Sequence, residues 1–428
     1  MKALFKKVIT FVLTLEARLV LWKYEPRIVG VTGSVGKSST KDAIYTALAA
    51  HHHVRKSQKS FNTELGIPLT ILGCDSAWSN PLLWLRNIFT GLTVLFLPNH
   101  YPQWLVLEVG LDRPGDIRRV VRWISFDVVV YTQLSDAPVH VEFFESAEAL
   151  LEEKSALMDA LKSGGTLVSN ADDPLQEGFF REGCGSLTYG FGARALLRGS
   201  HVETAYEGGA PAGVSLRVDY AGSSVPMELS GVLGLQHAYP VLAGCAVGVS
   251  EGVNLVSVGK AFERHAFLPG RMRILAGREG VSVLDDSYNA SPIAVRAALD
   301  VLEGLSVEGR KVVVLGDMTE LGELTVSAHE AAGERVAAVA DLFITVGQRT
   351  LHAAEAARSA GMDEERVVSF TDAREAGDFV RDRLERGDVV LVKGSQSMRM
   401  EKAVEKLLAR PEEARDVLAR QDREWVKR

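Results

Sequence analysis

The segment RIVGVTGSVGKSST, residues 27–40, constrains the fold of this 428-residue chain more than any other segment. It places a β-branched strand directly before a glycine-containing loop, Gly33 to Ser39, and a helical pattern follows the loop. Glycines allow successive backbone N–H groups of such a loop to point at phosphate oxygens, and the N-terminus of the following helix adds its dipole. In this arrangement Lys37 would neutralise the β- and γ-phosphates of a nucleotide, and the Ser38 hydroxyl would ligate Mg²⁺. The segment therefore predicts a nucleotide-binding strand–loop–helix unit.

The loop is a shorter variant of the common phosphate-binding loop. The standard spacing requires a glycine five residues before Gly36, whereas Val31 occupies that position. A glycine-rich turn without a nucleotide is the alternative interpretation, and the strand–loop–helix context argues against it. The residues expected to contact the nucleotide are Gly33, Ser34, Val35, Gly36, Lys37, Ser38 and Ser39.

Short β-branched runs alternate with longer helical segments along most of the chain, which predicts βαβ units with parallel sheets. Residues 197–230 differ, because turn-forming residues there separate segments of alternating hydrophobicity, and this predicts an antiparallel flank. A second α/β series begins after Pro269-Gly270. We therefore predict an α/β protein with a P-loop parallel-sheet domain over residues 27–268, followed by a smaller Rossmann-like α/β domain over residues 269–428. The strands are expected at residues 27–31, 104–109, 126–132, 166–170, 281–287, 311–317, 341–347, 366–370 and 388–394.

Composition excludes several classes of function. The chain has 48 basic and 55 acidic residues, a net charge of −7, and so lacks the basic excess of a duplex nucleic-acid binder. We therefore predict no nucleic-acid partner. Three cysteines lie far apart, with no CxxC spacing, so they form neither a disulfide framework nor a zinc site. These features predict a cytoplasmic protein.

The N-terminal segment, residues 1–26, is predicted to be an amphipathic helix that packs on the body of the protein. Its apolar run is interrupted by charges such as Lys7 and Arg18, whereas a membrane-spanning helix needs about 20 predominantly apolar residues. No small-residue cleavage site follows, as a signal peptide would require. Peripheral contact of this helix with an anionic membrane surface is the alternative. A second apolar stretch, residues 84–98, is predicted to be a buried helix or a loop.

Several separated segments beyond the loop share their pattern with one family. Residues 60–72 read SFNTELGIPLTIL and resemble a segment N-N-E-x-G-x-P-L-T, and residues 105–117 read LVLEVGLDRPGDI and resemble E-M-G-x-x-x-P-G-E-I. Residues 132–157 and 283–292 match two further motifs. By these segments the chain is similar to the Mur ligase superfamily, the ATP-dependent amide-forming ligases of peptidoglycan synthesis. The resemblance covers roughly residues 27–410 and is strongest to the branch that adds D-alanyl-D-alanine to a UDP-muramoyl tripeptide.

The resemblance implies an ATP site with two Mg²⁺ ions in the first domain, which would then be an ATPase domain. One ion would be held by Ser38 and Glu108, the other by His140 and a carbamate on Lys154. Lys154 lies 14 residues beyond His140, the family spacing for a lysine that becomes carbamylated. Taken alone, His140 would be a structural histidine and Lys154 a solvated lysine beside acidic neighbours. The implied catalytic residues are Lys37, Glu108, His140 and Lys154.

The second domain is implied to contribute nucleotide and substrate contacts. Arg271, in the segment LPGRMRIL, would approach the nucleotide, and Asp286 and Asn289, in VLDDSYNASP, would contact the ribose or adenine. Asp317 could instead cap a loop, and the sequence favours neither role. The residues implied to contact substrates are Asn62, Thr63, Asp317, Lys393 and Ser395.

These implied roles describe a ligase that works through an acyl phosphate. The carboxylate of a UDP-muramoyl peptide would attack the γ-phosphate of ATP, and the amine of D-alanyl-D-alanine would then displace phosphate. Only 26 residues precede Arg27, where the family usually has a UDP-binding domain, so the same chemistry with another carboxylate acceptor is an alternative. A non-catalytic nucleotide-binding scaffold is a second alternative. The protein is expected to be a monomer.

Overall fold

The computed structural model describes residues 2–58, 61–77, 80–111, 113–134, 146–421 and 425. The chain divides into two compact units. The first comprises Met1–His201, Leu216–Met227 and Gln236–His265, and the second comprises Val202–Ser215, Glu228–Leu235 and Ala266–Arg428. The predicted boundary at residue 268 lies close to Ala266, where the last segment of the second unit begins. The extents of the two domains stay a prediction.

The chain up to residue 265 forms one mixed sheet with flanking helices. Within the described residues the order of strands in the sheet is β2-β3-β1-β4-β5-β6-β7-β8-β9. The elements are α1 (Lys2–Tyr24), β1 (Arg27–Thr32), α2 (Lys37–Ala49), β2 (Val54–Lys56), α3 (Gly66–Leu72), α4 (Pro81–Phe96), β3 (Trp104–Glu108), α5 (Asp116–Val121), β4 (Phe126–Tyr131), α6 (Ala147–Asp159), β5 (Leu161–Asn170), β6 (Gly185–Gly190), β7 (Leu197–Glu207), β8 (Ala210–Tyr220), β9 (Ser223–Ser230), α7 (Ala238–Ser250) and α8 (Leu255–Phe262).

The strand β1 lies inside the parallel part of this sheet. It pairs in parallel with β3 on one side and with β4 on the other. Val29 and Val31 are fully buried, as expected for a strand of a parallel sheet covered on both faces. In register, Val31 lies beside Glu108 and Thr32 beside Tyr131. The carboxyl ends of three strands therefore meet where the phosphate loop begins, at the edge where ligands of parallel sheets bind.

The strands β7, β8 and β9 form the predicted antiparallel flank. Two-residue turns join them, and both residues of the first turn, Gly208 and Gly209, have positive φ angles of 58° and 84°. Ala221 and Gly222 repeat this geometry in the second turn, with φ angles of 48° and 80°. Such turns join antiparallel neighbours, since parallel strands need a much longer connection. The structure confirms this part of the predicted fold.

The chain after residue 265 forms a second α/β sheet, as predicted. Its order within the described residues is β10-β11-β15-β12-β13-β14, and every pairing is parallel except that of β10 with β11. The elements are β10 (Arg273–Ala276), β11 (Ser282–Asp286), α9 (Pro292–Gly304), β12 (Lys311–Gly316), α10 (Thr325–Val339), β13 (Leu342–Val346), α11 (Thr350–Ser359), β14 (Val367–Phe370), α12 (Ala373–Arg381), β15 (Val389–Lys393), α13 (Glu401–Leu407) and α14 (Ala414–Val417).

The helix expected at the N-terminus is present as α1, and it packs against α3 and α4 through a buried face that includes Leu13, Ala17 and Val20. The stretch over residues 84–98 is helical in α4, but the expectation that it is buried is wrong. Phe89 and Phe96 are exposed, because an apolar helix can press only one of its sides against the core. In the described part of the chain, no helix combines the length and apolar character needed to span a bilayer.

A buried carboxyl group lies where α1 meets α4. Glu16 is 5% exposed, and a side chain at Gly91 of α4 would collide with its carboxylate. The Oε2 atom of Glu16 has no hydrogen-bond partner among the residues that the structure describes. Burial raises the pKa of this carboxyl group to about 7. The close approach of the two helices therefore favours the neutral form of Glu16.

The substitution Glu16→Gln is expected to stabilise the fold at pH 8 and to change little at pH 5. Because the folded-state pKa is raised, the stability contributed by the protonated group is complete below about pH 4.5 and is lost as the pH rises through 7. Glutamine keeps the shape and cannot ionise, so the gain at pH 8 should be on the order of 1–3 kcal/mol. Thermal unfolding at several pH values measures it.

The matched control for this measurement is Glu228→Gln, since Glu228 is an exposed glutamate on β9. Its unfolding temperature should follow that of the unchanged protein at every pH. A gain for Glu16→Gln that is equal at pH 5 and pH 8 would contradict the raised pKa of Glu16.

Candidate functional site

The phosphate loop depends on two glycines. Gly36, directly before α2, has a φ angle of 85°, in the left-handed region that favours glycine. Gly33 has a φ angle of 148°, and a β-carbon there would collide with the hydroxyl group of Thr132. The loop thus turns tightly into a helix whose first N–H groups have no acceptor within the helix. That first turn consists of Lys37, Ser38 and Ser39.

The backbone of the loop is held against the segment that follows β4. The N–H groups of Ser34 and Val35 donate to the carbonyl oxygen of Gln133 at 2.8 and 3.2 Å. Lys37 folds back over the loop, and its Nζ donates to the carbonyl oxygens of Gly33 and Ser34 at 3.0 and 3.2 Å. The ammonium group of Lys37 therefore lies beside the backbone that is predicted to contact phosphate.

Glu108 is the last residue of β3 and faces the loop, and both of its carboxylate oxygens accept hydrogen bonds. Its side chain is almost fully buried. Ser38 Oγ donates to Oε2 at 2.8 Å, and Asn62 Nδ2 donates to Oε1 at 3.1 Å. The structure thus brings together three residues that lie far apart in the sequence. Hydroxyl and carboxylate oxygens are the ligands that Mg²⁺ prefers, so this donor set fits the predicted ion.

Lys154 reaches the loop from α6. Its side chain is buried, and its Nζ donates to Ser34 Oγ at 2.7 Å. Burial, and then the positive charge of Lys37, lower the pKa of Lys154 to about 8. The alternative of a solvated lysine on the surface of α6 is therefore wrong. Both effects favour the neutral amine of Lys154 relative to that of an exposed lysine.

His140, the remaining implied metal ligand, lies outside the described residues, as does the neighbouring Glu142. Among the side chains that the structure does describe, no group of three or more histidine, cysteine, aspartate or glutamate residues has the geometry of a metal site. The first implied ion would therefore rely on Ser38 and Glu108 together with oxygen atoms of the nucleotide.

Sequence reasoning missed Lys41, which is buried beside the same carboxylate. Its Nζ lies 4.0 Å from Glu108 Oε2 and 3.5 Å from Asp42 Oδ1. Lys56 forms a second ion pair with Asp42 at 2.7 Å. Lys41 follows Lys37 by one helical turn, and this spacing was the signal that could have identified it. A buried carboxylate requires such compensating charge.

In the second unit, the buried Lys393 forms an ion pair with the partly buried Asp286. Lys393 Nζ donates to Asp286 Oδ2 at 2.6 Å and to the carbonyl oxygen of Asn289 at 2.9 Å. The other carboxylate oxygen of Asp286 accepts from the backbone N–H of Met272 at 3.1 Å. The predicted nucleotide residue Asp286 and the predicted substrate residue Lys393 are therefore direct partners, which the sequence did not indicate.

The LPGR segment is tied to the DDSYN segment within the same unit. Gly270 N donates to the buried Asp285 at 3.0 Å, and Tyr288 N donates to the carbonyl oxygen of Gly270 at 2.9 Å. The guanidinium group of Arg271 lies 4.4 Å from the centre of the Tyr288 ring. Asn289 is exposed beside this pair. Arg271 and Asn289, both predicted to contact the nucleotide, therefore lie in one cluster.

Arg420 was also missed, and no signal near it in the sequence could have revealed its role. Its guanidinium group donates to the carbonyl oxygens of Ser287 and Tyr288 and forms a buried ion pair with Glu401 at 3.0 Å. Arg420 therefore holds the DDSYN segment from a position more than a hundred residues away.

The other three predicted substrate residues, Asp317, Thr63 and Ser395, also have structural partners. Asp317 Oδ1 accepts a hydrogen bond from the backbone N–H of Thr350, the first residue of α11, at 2.9 Å, and its predicted contact with substrate stays a prediction. Thr63 Oγ1 accepts from Gly66 N at 3.4 Å at the start of α3. Ser395 lies beside Asp317, because its backbone N–H donates to the Asp317 carbonyl oxygen at 3.0 Å.

Comparison with protein-family models finds two matches. The model for the Mur ligase middle domain matches residues 86–248. The model for the Mur ligase, glutamate ligase domain matches residues 270–396. The two matches fall on the two α/β series of the chain.

Curated relatives match along most of the chain. The UDP-N-acetylmuramoyl-tripeptide–D-alanyl-D-alanine ligase of Bacillus subtilis is 28% identical, over 92% of this chain and 79% of the relative. The ligase of the same name from Escherichia coli K12 is 25% identical, over 89% of this chain and 76% of the relative.

Solved structures share the fold. The MurF ligase of Thermotoga maritima in complex with ADP superposes with a TM-score of 0.70 at 25% identity, covering 95% of this chain and 84% of that one. MurF of Acinetobacter baumannii gives a TM-score of 0.74 at 21% identity, covering 92% of this chain and 79% of that one. Both comparisons extend over the two units.

We expect Lys154 to lose its proton near pH 8, well below the value of about 10.4 for an ordinary lysine. The substitution Lys37→Ala should raise the pKa of Lys154, because it removes a neighbouring positive charge. An NMR pH titration of ¹³C-methylated lysines measures both values, with the Lys154 signal assigned from its loss in Lys154→Arg. Lys162→Ala, at an exposed lysine of β5, is the control and should leave the titration of Lys154 unchanged. A Lys154 signal that titrates near pH 10 would show that the lysine is not desolvated.

Proposed function

Because the chain belongs to the Mur ligase family of ATP-dependent ligases, we propose that it joins D-alanyl-D-alanine to a UDP-muramoyl tripeptide. The names of its curated relatives support the choice of substrates. The observation that carries the proposal is the convergence of Ser38, Glu108 and Lys154 on the phosphate loop. A monomeric, cytoplasmic enzyme remains our expectation.

The phosphate loop would bind the triphosphate of ATP against the first turn of α2. The N–H groups and the positive end of that helix favour phosphate oxygens. Lys37 would turn its ammonium group from the loop carbonyls to the β- and γ-phosphates and neutralise their charge. Ser38 and Glu108 would hold Mg²⁺, which supplies charge neutralisation between the β- and γ-phosphates. Lys41 would supply a positive charge beside the buried Glu108 side chain.

The reaction would take place in two steps. A carboxylate oxygen of the tripeptide attacks the γ-phosphorus of ATP, which forms an acyl phosphate as the bond to the leaving ADP breaks. The amine of D-alanyl-D-alanine then attacks the acyl carbon, gives up a proton, and displaces inorganic phosphate. The contribution of the protein is to position the reactants and to stabilise the charge that develops on the transferred phosphoryl group.

For the second predicted ion, we propose that Lys154 carries a carbamate. A neutral amine reacts with CO₂ to give a carbamate and a proton, and the lowered pKa of Lys154 makes that amine available near neutral pH. Its position against Ser34 would place the new carboxylate oxygens beside the loop. Together with His140 they would hold Mg²⁺, whose charge an ammonium group would instead repel.

The assay of function measures ADP and the ligated product when the purified chain receives ATP and Mg²⁺. Sustained ADP release over many turnovers is expected only when UDP-muramoyl tripeptide and D-alanyl-D-alanine are both present, since the tripeptide alone supports only the first step. ADP release that needs a different carboxylate would contradict the proposed acceptor, and no release with any carboxylate would indicate a scaffold. Lys37→Ala should lower turnover at least 100-fold while the protein stays folded, since removing one preorganised donor has effects of this size. Lys162→Ala should retain full turnover.

The carbamate is tested with ¹³CO₂. A carbamate signal in the ¹³C NMR spectrum is expected for the unchanged protein and should be absent in Lys154→Ala. That variant should still bind ATP through the loop but lose most of its turnover, and short carboxylates such as acetate should restore part of it. Full turnover of Lys154→Ala, or a ¹³C signal that survives this substitution, would refute the carbamate without touching the ligase assignment.

A further inference from the structure

The helix α1 carries an apolar stripe that faces solvent. Its exposed members are spaced three or four residues apart and therefore lie on one face of the helix. Phe11 is 70% and Trp22 is 78% exposed. A contiguous stripe of this kind is unusual on a soluble surface and marks an interaction site. The exposed members of the stripe are Val8, Phe11, Leu15, Leu19 and Trp22.

The helix α4 carries a second exposed stripe with the same spacing. Phe89 is 67% and Phe96 is 79% exposed. The opposite side of α4 is already used for packing, since Trp84 and Val94 are buried. The exposed members of this stripe are Leu82, Leu85, Phe89, Leu92 and Phe96.

The helices α1 and α4 are held together by hydrogen bonds and close packing. Tyr24 donates its hydroxyl proton to the carbonyl oxygen of Val94 at 2.8 Å, and Lys23 Nζ donates to that of Leu95 at 2.6 Å. Gly91 allows α4 to approach Glu16 of α1 closely. These contacts hold α1 beside α4 without using either stripe, so the stripes remain available for another surface.

The charge of this helix pair is opposite to that of the whole chain. The chain has a net charge of −7, whereas the only acidic residue within α1 and α4 is Glu16, which is buried. Cationic side chains accompany the exposed apolar stripes, and Lys23 directly follows Trp22. The exposed cationic residues are Lys7, Arg18, Lys23 and Arg86.

We propose that α1 and α4 bind the surface of an anionic lipid bilayer and lie in its interface. Amphipathic helices that combine basic residues with exposed tryptophan, phenylalanine and leucine bind membranes in this way. Anionic headgroups complement the cationic side chains, whereas a second copy of this surface would bring like charges together. Tryptophan is also the residue type enriched at the level of the headgroups. Neither helix crosses the membrane in this arrangement.

The test uses the full chain and sedimentation with lipid vesicles. Vesicles with one third phosphatidylglycerol in phosphatidylcholine should bind the protein at least tenfold more tightly than vesicles of phosphatidylcholine alone. Raising the salt concentration should reduce this preference, because the headgroup attraction is screened. Equal binding to both vesicles would overturn the electrostatic part of the proposal, and no binding to either would overturn it altogether.

Two double variants test the stripes. Phe11→Ser with Trp22→Ser, and Phe89→Ser with Phe96→Ser, should each weaken vesicle binding at least tenfold. The matched control is Phe180→Ser with Leu196→Ser, two exposed apolar residues outside these helices, which should bind as the unchanged protein does. All three double variants should release ADP at the rate of the unchanged protein when the substrates are soluble. If neither the unchanged protein nor the variants showed ligase activity, the proposed function would be wrong, but the vesicle measurement would still decide the membrane proposal. Vesicle binding that survives either stripe variant would overturn the role of that helix.

Sedimentation equilibrium without lipid tests the alternative that the two apolar stripes bind a second copy of this chain. The protein is expected to stay monomeric at concentrations at which it binds vesicles. A dimer that both stripe variants dissociate would show that the stripes bind a second copy, and the membrane proposal would then be wrong.

Discussion

The hydrogen bond from Ser38 to Glu108 connects the phosphate loop with the neighbouring strand, and the other candidate residues of the first unit are arranged around it. The two residues are 70 positions apart. They meet because β3 pairs with β1 in a register that sets Glu108 beside Val31. A slip of one residue would turn Glu108 to the opposite face of the sheet. Asn62 would then lose its acceptor, and Lys41 would lose one of its two neighbouring carboxylates.

Burial acts in opposite directions on two ionisable groups of this unit. It raises the pKa of Glu16 and lowers that of Lys154, because a low-dielectric environment disfavours the charged form of either group. Between α1 and α4 this leaves a carboxyl group that stabilises the helix pair best when it is neutral. Beside the phosphate loop it leaves an amine that is available for chemistry. The same physical effect therefore bears on packing in one place and on the proposed carbamate chemistry in another.

Local patterns were sufficient to predict much of the fold and the core of the candidate site. The β-branched runs predicted β1, β3 and β4, and the loop motif, which is local in sequence, predicted Lys37 and Ser38 as nucleotide-site residues. The contacts that depend on tertiary packing could not be predicted. Asp317 accepts a hydrogen bond from the first residue of α11, 33 residues away, and an apolar stretch such as α4 does not reveal which of its sides the core will cover.

The position of Arg420 has a consequence for the synthesis of this protein. Its guanidinium group holds the carbonyl oxygen of Ser287, which is made 133 residues earlier, and it neutralises the buried Glu401. Glu401 has a second partner in Arg399, so the distinctive contribution of Arg420 is its hydrogen bonds to the DDSYN segment, and a buried carbonyl oxygen left without its donor costs about 1–3 kcal/mol. The DDSYN segment therefore reaches its final packing only after Arg420 has been added to the chain, and a chain cut before Arg420 would hold this segment less firmly.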